Sequence, residues 1–165
     1  MNPGLTDKAA HVLDLYAARG LKIATAESCT GGLVAAALTA IAGSSRVVER
    51  GFVTYSNEAK TEMLGVSSAL IATHGAVSED VARAMAEGAL RYSHAQHSVA
   101  ITGIAGPGGG TADKPTGLVH FAAAQHNGPT YHRREVFAGN RDQVRLQAAL
   151  TALDMLLIGL ERTNP

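Results

Sequence analysis

The stretch LKIATAESCTGGLVAAAL, Leu21 to Leu38, constrains the fold more than any other part of the chain. A short strand-like segment, Leu21 to Thr25, runs through a loop holding Ser28, Cys29, Thr30, Gly31 and Gly32 into an alanine-rich helical segment reaching about Ile41 and stopping at Gly43. Strand, tight loop and helix open an α/β unit. Such a unit points backbone amides and the positive helix end at whatever occupies the loop.

The rest of the chain extends this pattern. Thr6 is placed to cap a first helix whose Ala9, Val12, Leu13, Tyr16 and Ala17 repeat at helical spacing before Gly20. Arg50 to Ser56 reads as a second strand, and Asn57 as the cap of a short helix carrying Glu58, Lys60 and Glu62. Ser67 or Ser68 opens another short helix. Ser78, followed by Glu79 and Asp80, starts one that runs to about Tyr92. Ser98 to Gly106 has the look of the most buried strand and leads into GPGGGTADKPTG. LVHFAAAQ and TYHRREVF flank a hairpin turn at Asn127-Gly128, and a long helix from about Asn140 to Leu160 follows. After the first helix the order βαβααβββα predicts a three-layer α/β sandwich with a mixed, partly antiparallel sheet, a single domain over residues 1–165.

Composition agrees with that layering. The chain has no tryptophan and 4% aromatics against 46% hydrophobic residues, so its core is built of Ala, Val, Leu and Ile, which suit helices packed tightly on a sheet. A chain of 165 residues buries roughly 70% of its unfolded surface and needs no disulfide staple. The single cysteine, Cys29, has no internal partner, which suits a reducing compartment. The N-terminus lacks the basic-then-apolar order of a signal peptide, and the apolar run Leu33 to Ala42 is too short to span a bilayer, so a cytoplasmic protein without membrane partners is expected. Lys plus Arg and Asp plus Glu number 14 each, giving nucleic acid no general attraction. Small ligands become the better candidates.

The loop chemistry allows two readings. Ser28 either caps the following helix, as Thr30 also could, or attacks a substrate held at the loop. Cys29 is the stronger nucleophile by type and equally a small packing residue. None of the seven histidines, on apparent surface turns, strands or the first helix, stands in a motif that marks it as base for a serine. YSNEAK offers Tyr55 and Lys60 at the end of a strand and in the next helix, where both reach the same sheet edge as Ser28. Lys60 serves as base only if burial or a nearby cation strips its proton; otherwise it is a solvated lysine paired with Glu58 or Glu62. TGIAGPGGG, Thr102 to Gly110, is either a flexible turn or a phosphate-cradling loop, and it fits neither nucleotide fingerprint. Arg141 and Arg145, at i and i+4, share a helix face suited to phosphate, or are surface arginines. No ligand spacing marks a metal site, and no cofactor is expected.

TAESCTGG, YSNEAKTEMLGV, THGAVSEDVARAMAEGA, TGIAGPGGGTADKPTG and FAGNRDQVR, taken in order, resemble the C-terminal domain of the competence-damage-inducible protein A (CinA) family over nearly the whole chain. The resemblance is to the stand-alone form, without a preceding molybdopterin-binding-like domain. It implies deamidation of nicotinamide mononucleotide to nicotinic acid mononucleotide and ammonia. Carried across, it makes Ser28 the nucleophile, Lys60 its base and Tyr55 a supporting proton-handling group. The substrate set is Glu27, Thr30, Gly31, Thr102, Gly103, Arg141 and Arg145, with Arg141 near the phosphate. Ala112 and Asp113 depart from the Pro-Glu common in relatives at the loop tip. The partners expected are the mononucleotide and further copies of the chain, as a dimer or larger. The competing readings are a noncatalytic nucleotide-binding regulator, which would need neither Ser28 nor Lys60, and a competence or DNA-damage interaction protein, which the neutral charge opposes.

Overall fold

Capping residues set where the helices start. In a computed structural model describing residues 1–163, helix α1 (Pro3–Ala18) is capped by Asn2, whose side chain accepts from the Leu5 amide. The start therefore lies ahead of the expected Thr6, because Pro3 lacks an N–H and suits the first helical turn; the Thr6 hydroxyl instead donates to the Pro3 carbonyl. Strand β1 (Ile23–Glu27) leads to α2 (Leu33–Thr39), and β2 (Val48–Val53) to α3 (Asn57–Leu64), capped by Ser56 rather than Asn57. Helices α4 (Ser68–His74) and α5 (Glu79–Arg91) begin at Ser67 and Ser78. Strands β3 (His97–Gly103), β4 (Leu118–Gln125) and β5 (Tyr131–Val136) precede α6 (Arg141–Glu161), which opens on a capping box of Asn140 and Gln143. Asn127 takes the left-handed conformation, φ 58°, that the hairpin turn demands.

The strands form one sheet in the order β2-β1-β3-β4-β5. β1 runs parallel to β2 and β3, while β4 is antiparallel to both β3 and β5. One face carries Ile23, Val99, Ile101, Val119 and Phe121 and packs under α1, α2 and α6. The other carries Ala24, Ala26, Ala100, Ala122 and Ala124, a floor of single methyls that lets α5 sit close. This is the three-layer α/β architecture with a mixed sheet. Contact between α3 and α5 is closer still: a Cβ on Gly88 would stand 2.0 Å from the Leu64 carbonyl oxygen, so only glycine fits.

Strands buried on both faces bury their polar residues too. His97 and His120, expected on the surface, are 3% and 9% exposed. His97 Nδ1 meets the Tyr16 hydroxyl at 2.9 Å, and His120 Nδ1 meets His132 Nε2 at 2.8 Å. α6 is long and apolar enough to cross a membrane, which a search for one uninterrupted apolar run overlooks because charged and polar residues punctuate it; here it packs against α1 and the sheet.

This topology creates a crevice. The chain leaves β1 through α2 on one face to reach β2, then returns through α3, α4 and α5 on the other face to β3. The connections diverge at the carboxyl ends of β1 and β3, where open α/β sheets bind their ligands.

Candidate active site

Ser28 follows β1 directly. Its amide donates to the Ile101 carbonyl at 2.9 Å, extending the β1–β3 ladder by one step, and its carbonyl accepts from Gly31 N at 3.0 Å. The chain turns on Gly31 and Gly32, at φ 57° and 98°, where a side chain would be strained. Neither Ser28 nor Thr30 caps α2; Gly32 occupies that position. The two first-turn amides, Val34 N and Ala35 N, donate to Glu27 Oε1 and Oε2 at 2.9 and 3.0 Å. The helix end expected to face a ligand is thus occupied by a carboxylate of the chain itself.

Lys60 comes from α3 and is 1% exposed. Its Nζ lies 3.0 Å from Ser28 Oγ, 2.9 Å from the Thr54 carbonyl and 3.3 Å from that of Tyr55. It pairs with neither Glu58 nor Glu62. Burial lowers its proton affinity below the usual lysine range, since no neighbouring carboxylate compensates for the lost hydration. The amine donates to the Thr54 and Tyr55 carbonyls and, at 3.5 Å, to that of Ser56, and it lies within hydrogen-bond distance of the Ser28 hydroxyl, the one side-chain oxygen it meets. Cys29, next in sequence, is held neutral because burial pushes its thiol up to about 11.

These groups line a cavity of about 270 Å³ with Tyr55, Thr102, Gly103 and Arg141. Arg141, in the first turn of α6, donates through Nη1 to the Gly106 carbonyl and through Nη2 to the Tyr55 hydroxyl, both at 2.9 Å. It joins the glycine loop to the β2–α3 connection across the site. The Thr102 hydroxyl donates to the Ala76 carbonyl at 2.8 Å, tying β3 to the turn before α5. Gly103 is forced by space, since a Cβ would sit 2.7 Å from Val119 Cγ2 and 2.9 Å from the Leu118 carbonyl. Larger hollows of about 390 Å³, between α3 and α4, and about 490 Å³, at the far end of the sheet, hold no buried amine. No histidine lines the Ser28 cavity, and among the described residues no three metal-ligating side chains converge.

Of the ten residues singled out from the sequence, six line this cavity: Ser28, Lys60, Tyr55, Thr102, Gly103 and Arg141. Glu27, Thr30, Gly31 and Arg145 do not. Glu27 is fully buried on the α2 amides, the Thr30 hydroxyl is buried without a partner among the described residues, and Arg145 turns to loop carbonyls. Asn57, Ala76, Val77 and the loop residues Ile104, Ala105, Gly106, Gly108 and Gly109 complete the lining. The density of glycine was the available signal for the last group; Ala76 and Val77 carry none beyond preceding the Ser78 cap.

The model of the CinA C-terminal domain family matches residues 5–160. The chain is 57% identical over 139 residues to the nicotinamide-nucleotide amidohydrolase PncC of Escherichia coli strain K12, covering 84% of each chain. It is 55% identical over 149 residues to a CinA-like protein of Anaeromyxobacter dehalogenans strain 2CP-C, covering 90% of this chain and 36% of that one. Among solved structures, the competence/damage inducible protein CihA from Agrobacterium tumefaciens superposes with a TM-score of 0.94 at 50% identity, covering 98% of both chains.

Proposed function

The chain belongs to the CinA C-terminal domain family, and on that premise we propose that it is a nicotinamide-nucleotide amidohydrolase with Ser28 as nucleophile and Lys60 as its base. The observation that carries the mechanism is the buried Lys60 amine, 3.0 Å from Ser28 Oγ, in a cavity at the ends of β1 and β3.

Lys60 Nζ takes the Ser28 proton as Oγ adds to the carboxamide carbon. The resulting ammonium then protonates the departing nitrogen as the C–N bond breaks, releasing ammonia and leaving an ester on Ser28. Water loses a proton to the same amine as it adds to the ester, and Ser28 Oγ leaves with that proton, giving nicotinic acid mononucleotide. One water is consumed and Lys60 ends as it began. At the cavity mouth Arg141 supplies a fixed cation for the phosphate, held in place by Gly106 and Tyr55. The Tyr55 hydroxyl accepts from Arg141, which supports an indirect part for it in the substrate site. The free, buried cysteine agrees with action in the cytoplasm.

Purified protein incubated with nicotinamide mononucleotide should yield ammonia and nicotinic acid mononucleotide in equal amounts, followed by an ammonia assay and chromatography. Binding of the mononucleotide without ammonia release would favour the noncatalytic regulator instead.

A further inference from the structure

Arg145 lies one helical turn beyond Arg141, yet it faces away from the cavity. Its Nε donates to the Cys29 carbonyl at 3.2 Å and its Nη2 to the Thr30 carbonyl at 3.0 Å. The guanidinium therefore holds two successive carbonyls of the loop that begins at Ser28, a task for which its rigid fork of donors is suited. Peptide units are planar and trans, so each N–H points opposite the carbonyl of the same unit. Fixing Cys29 C=O and Thr30 C=O fixes the Thr30 and Gly31 N–H directions. The Gly31 N–H returns to the Ser28 carbonyl and closes the turn.

Glycine at 31 is called for by its backbone φ of 57°, which disfavours any side chain; space beside Arg145 does not demand it, since a Cβ there would stand 3.7 Å from Nη2, an ordinary contact. On the opposite flank the Glu27 carboxylate ties down the first turn of α2. The loop is thus held before Ser28 by the β1–β3 ladder, after it by Arg145, and further on by Glu27. The two bonds fix the guanidinium on the loop, and Arg145 does not line the Ser28 cavity.

We infer that Arg145 is a positioning residue for the Ser28 nucleophile, acting through the Cys29 and Thr30 carbonyls, and is not a phosphate ligand; the inference rests on the reading of Ser28 as nucleophile. A residue that sets the direction of the nucleophile and of the adjoining amides affects the chemical step, not ground-state affinity. It also acts identically on substrates with and without a phosphate.

The test compares Arg145→Ala, Arg145→Lys and Arg141→Ala, each checked for native circular dichroism and thermal midpoint, on nicotinamide mononucleotide and on the riboside. Arg145→Ala should lower kcat by roughly a hundredfold, the scale of losing one fixed electrostatic element of a site, with KM for the mononucleotide within about threefold. The riboside should lose activity by the same factor. Arg145→Lys, whose ammonium is a point charge, should be nearly as impaired. Added guanidinium ion should restore part of the Arg145→Ala rate and none of that lost in Arg145→Lys, where the site is filled. A rise in KM confined to the mononucleotide would overturn the assignment and make Arg145 a phosphate ligand; an unchanged kcat would overturn it outright.

A second measurement is independent of the nucleotide substrate: the rate at which a sulfonyl fluoride labels Ser28, read by mass spectrometry. Slower labelling in Arg145→Ala than in wild type supports positioning. Equal rates in the two would overturn the role of Arg145 alone. No labelling of wild type at Ser28 would overturn the nucleophile reading and the inference together.

Discussion

Lys60→Met removes the amine while keeping an unbranched side chain of similar length, so it separates the base from the packing. Lys60 is 1% exposed, and burial lowers its proton affinity. A lysine whose folded pKa lies below its unfolded value of about 10.4 binds fewer protons in the native state than in the unfolded state between those two values. Stability conferred at this position therefore rises with pH across that window. Below the folded pKa the full cost of the buried ammonium is present. Because a single proton is involved, the wild-type stability measured relative to Lys60→Met should climb by at most about 1.4 kcal/mol per pH unit, and each unit by which burial has lowered the pKa adds that amount to the total. Cys29, raised to about 11, remains in both proteins and its own titration largely cancels in the difference.

The same ionisation governs catalysis if Lys60 is the base. kcat/KM for the mononucleotide should rise tenfold per pH unit below the folded pKa and level off above it. Lys60→Met should lose at least about a hundredfold, the lower bound for a general base, on the plateau above that pKa, and the gap should narrow as pH falls below it. Urea denaturation of both proteins over a pH series gives one pKa, and the ammonia assay over the same series gives another. The two should coincide. A stability difference flat with pH up to 10, or an activity profile with no rising limb below its plateau, would refute the argument that a proton lost through burial arms Ser28.

Three further outcomes follow from the site. Ser28→Ala should lose at least about a thousandfold in turnover, while Cys29→Ala, whose thiol is held neutral, should retain most of it; the reverse pattern in the ammonia assay would make the mechanism a thiol one. Arg141→Ala should raise KM for the mononucleotide and leave the riboside almost unaffected, since the phosphate lies several bonds from the reacting amide; equal losses on both would remove Arg141 from the phosphate site. Dialysis against a strong chelator should leave activity unchanged, because among the described residues no three metal-ligating side chains converge, and a loss restored by one divalent ion would contradict this.

The sequence disclosed the layers because their signals are local. Caps at Ser78 and Asn140, the Asn127 turn and the apolar runs of β3 and β4 are each set by neighbours in the chain. What it left open depends on which strands lie side by side. Lys60, in EAKTE, has the surroundings of a solvated helix lysine, and its burial arises only when β2 takes the sheet edge and α3 is laid against α5. His97 and His120 look exposed until both faces of the central strands are seen to be covered. Glu27 is a polar residue closing a strand, and the α2 amides that it accepts lie seven and eight residues further on. Arg141 and Arg145 share a helical face by spacing, and spacing suggested a shared ligand. A rise of about 6 Å over four residues is enough to separate them, one at the cavity mouth and the other behind the loop.

That separation explains the use of two kinds of cation around one serine. An arginine keeps its charge in any protein environment, so it suits positions where the charge must persist: Arg141 on Gly106 and Tyr55 at the mouth, and Arg145 on the Cys29 and Thr30 carbonyls. Burial lowers a lysine's proton affinity, so on the proposed mechanism a lysine suits the one position that accepts a proton from Ser28 and returns it to a leaving group. Exchanging the types would put a permanent guanidinium where a lone pair is needed, and a single-point ammonium where two carbonyls must be held together. On the proposed mechanism the depth of each side chain, not the total charge of the loop, divides proton transfer from binding and positioning.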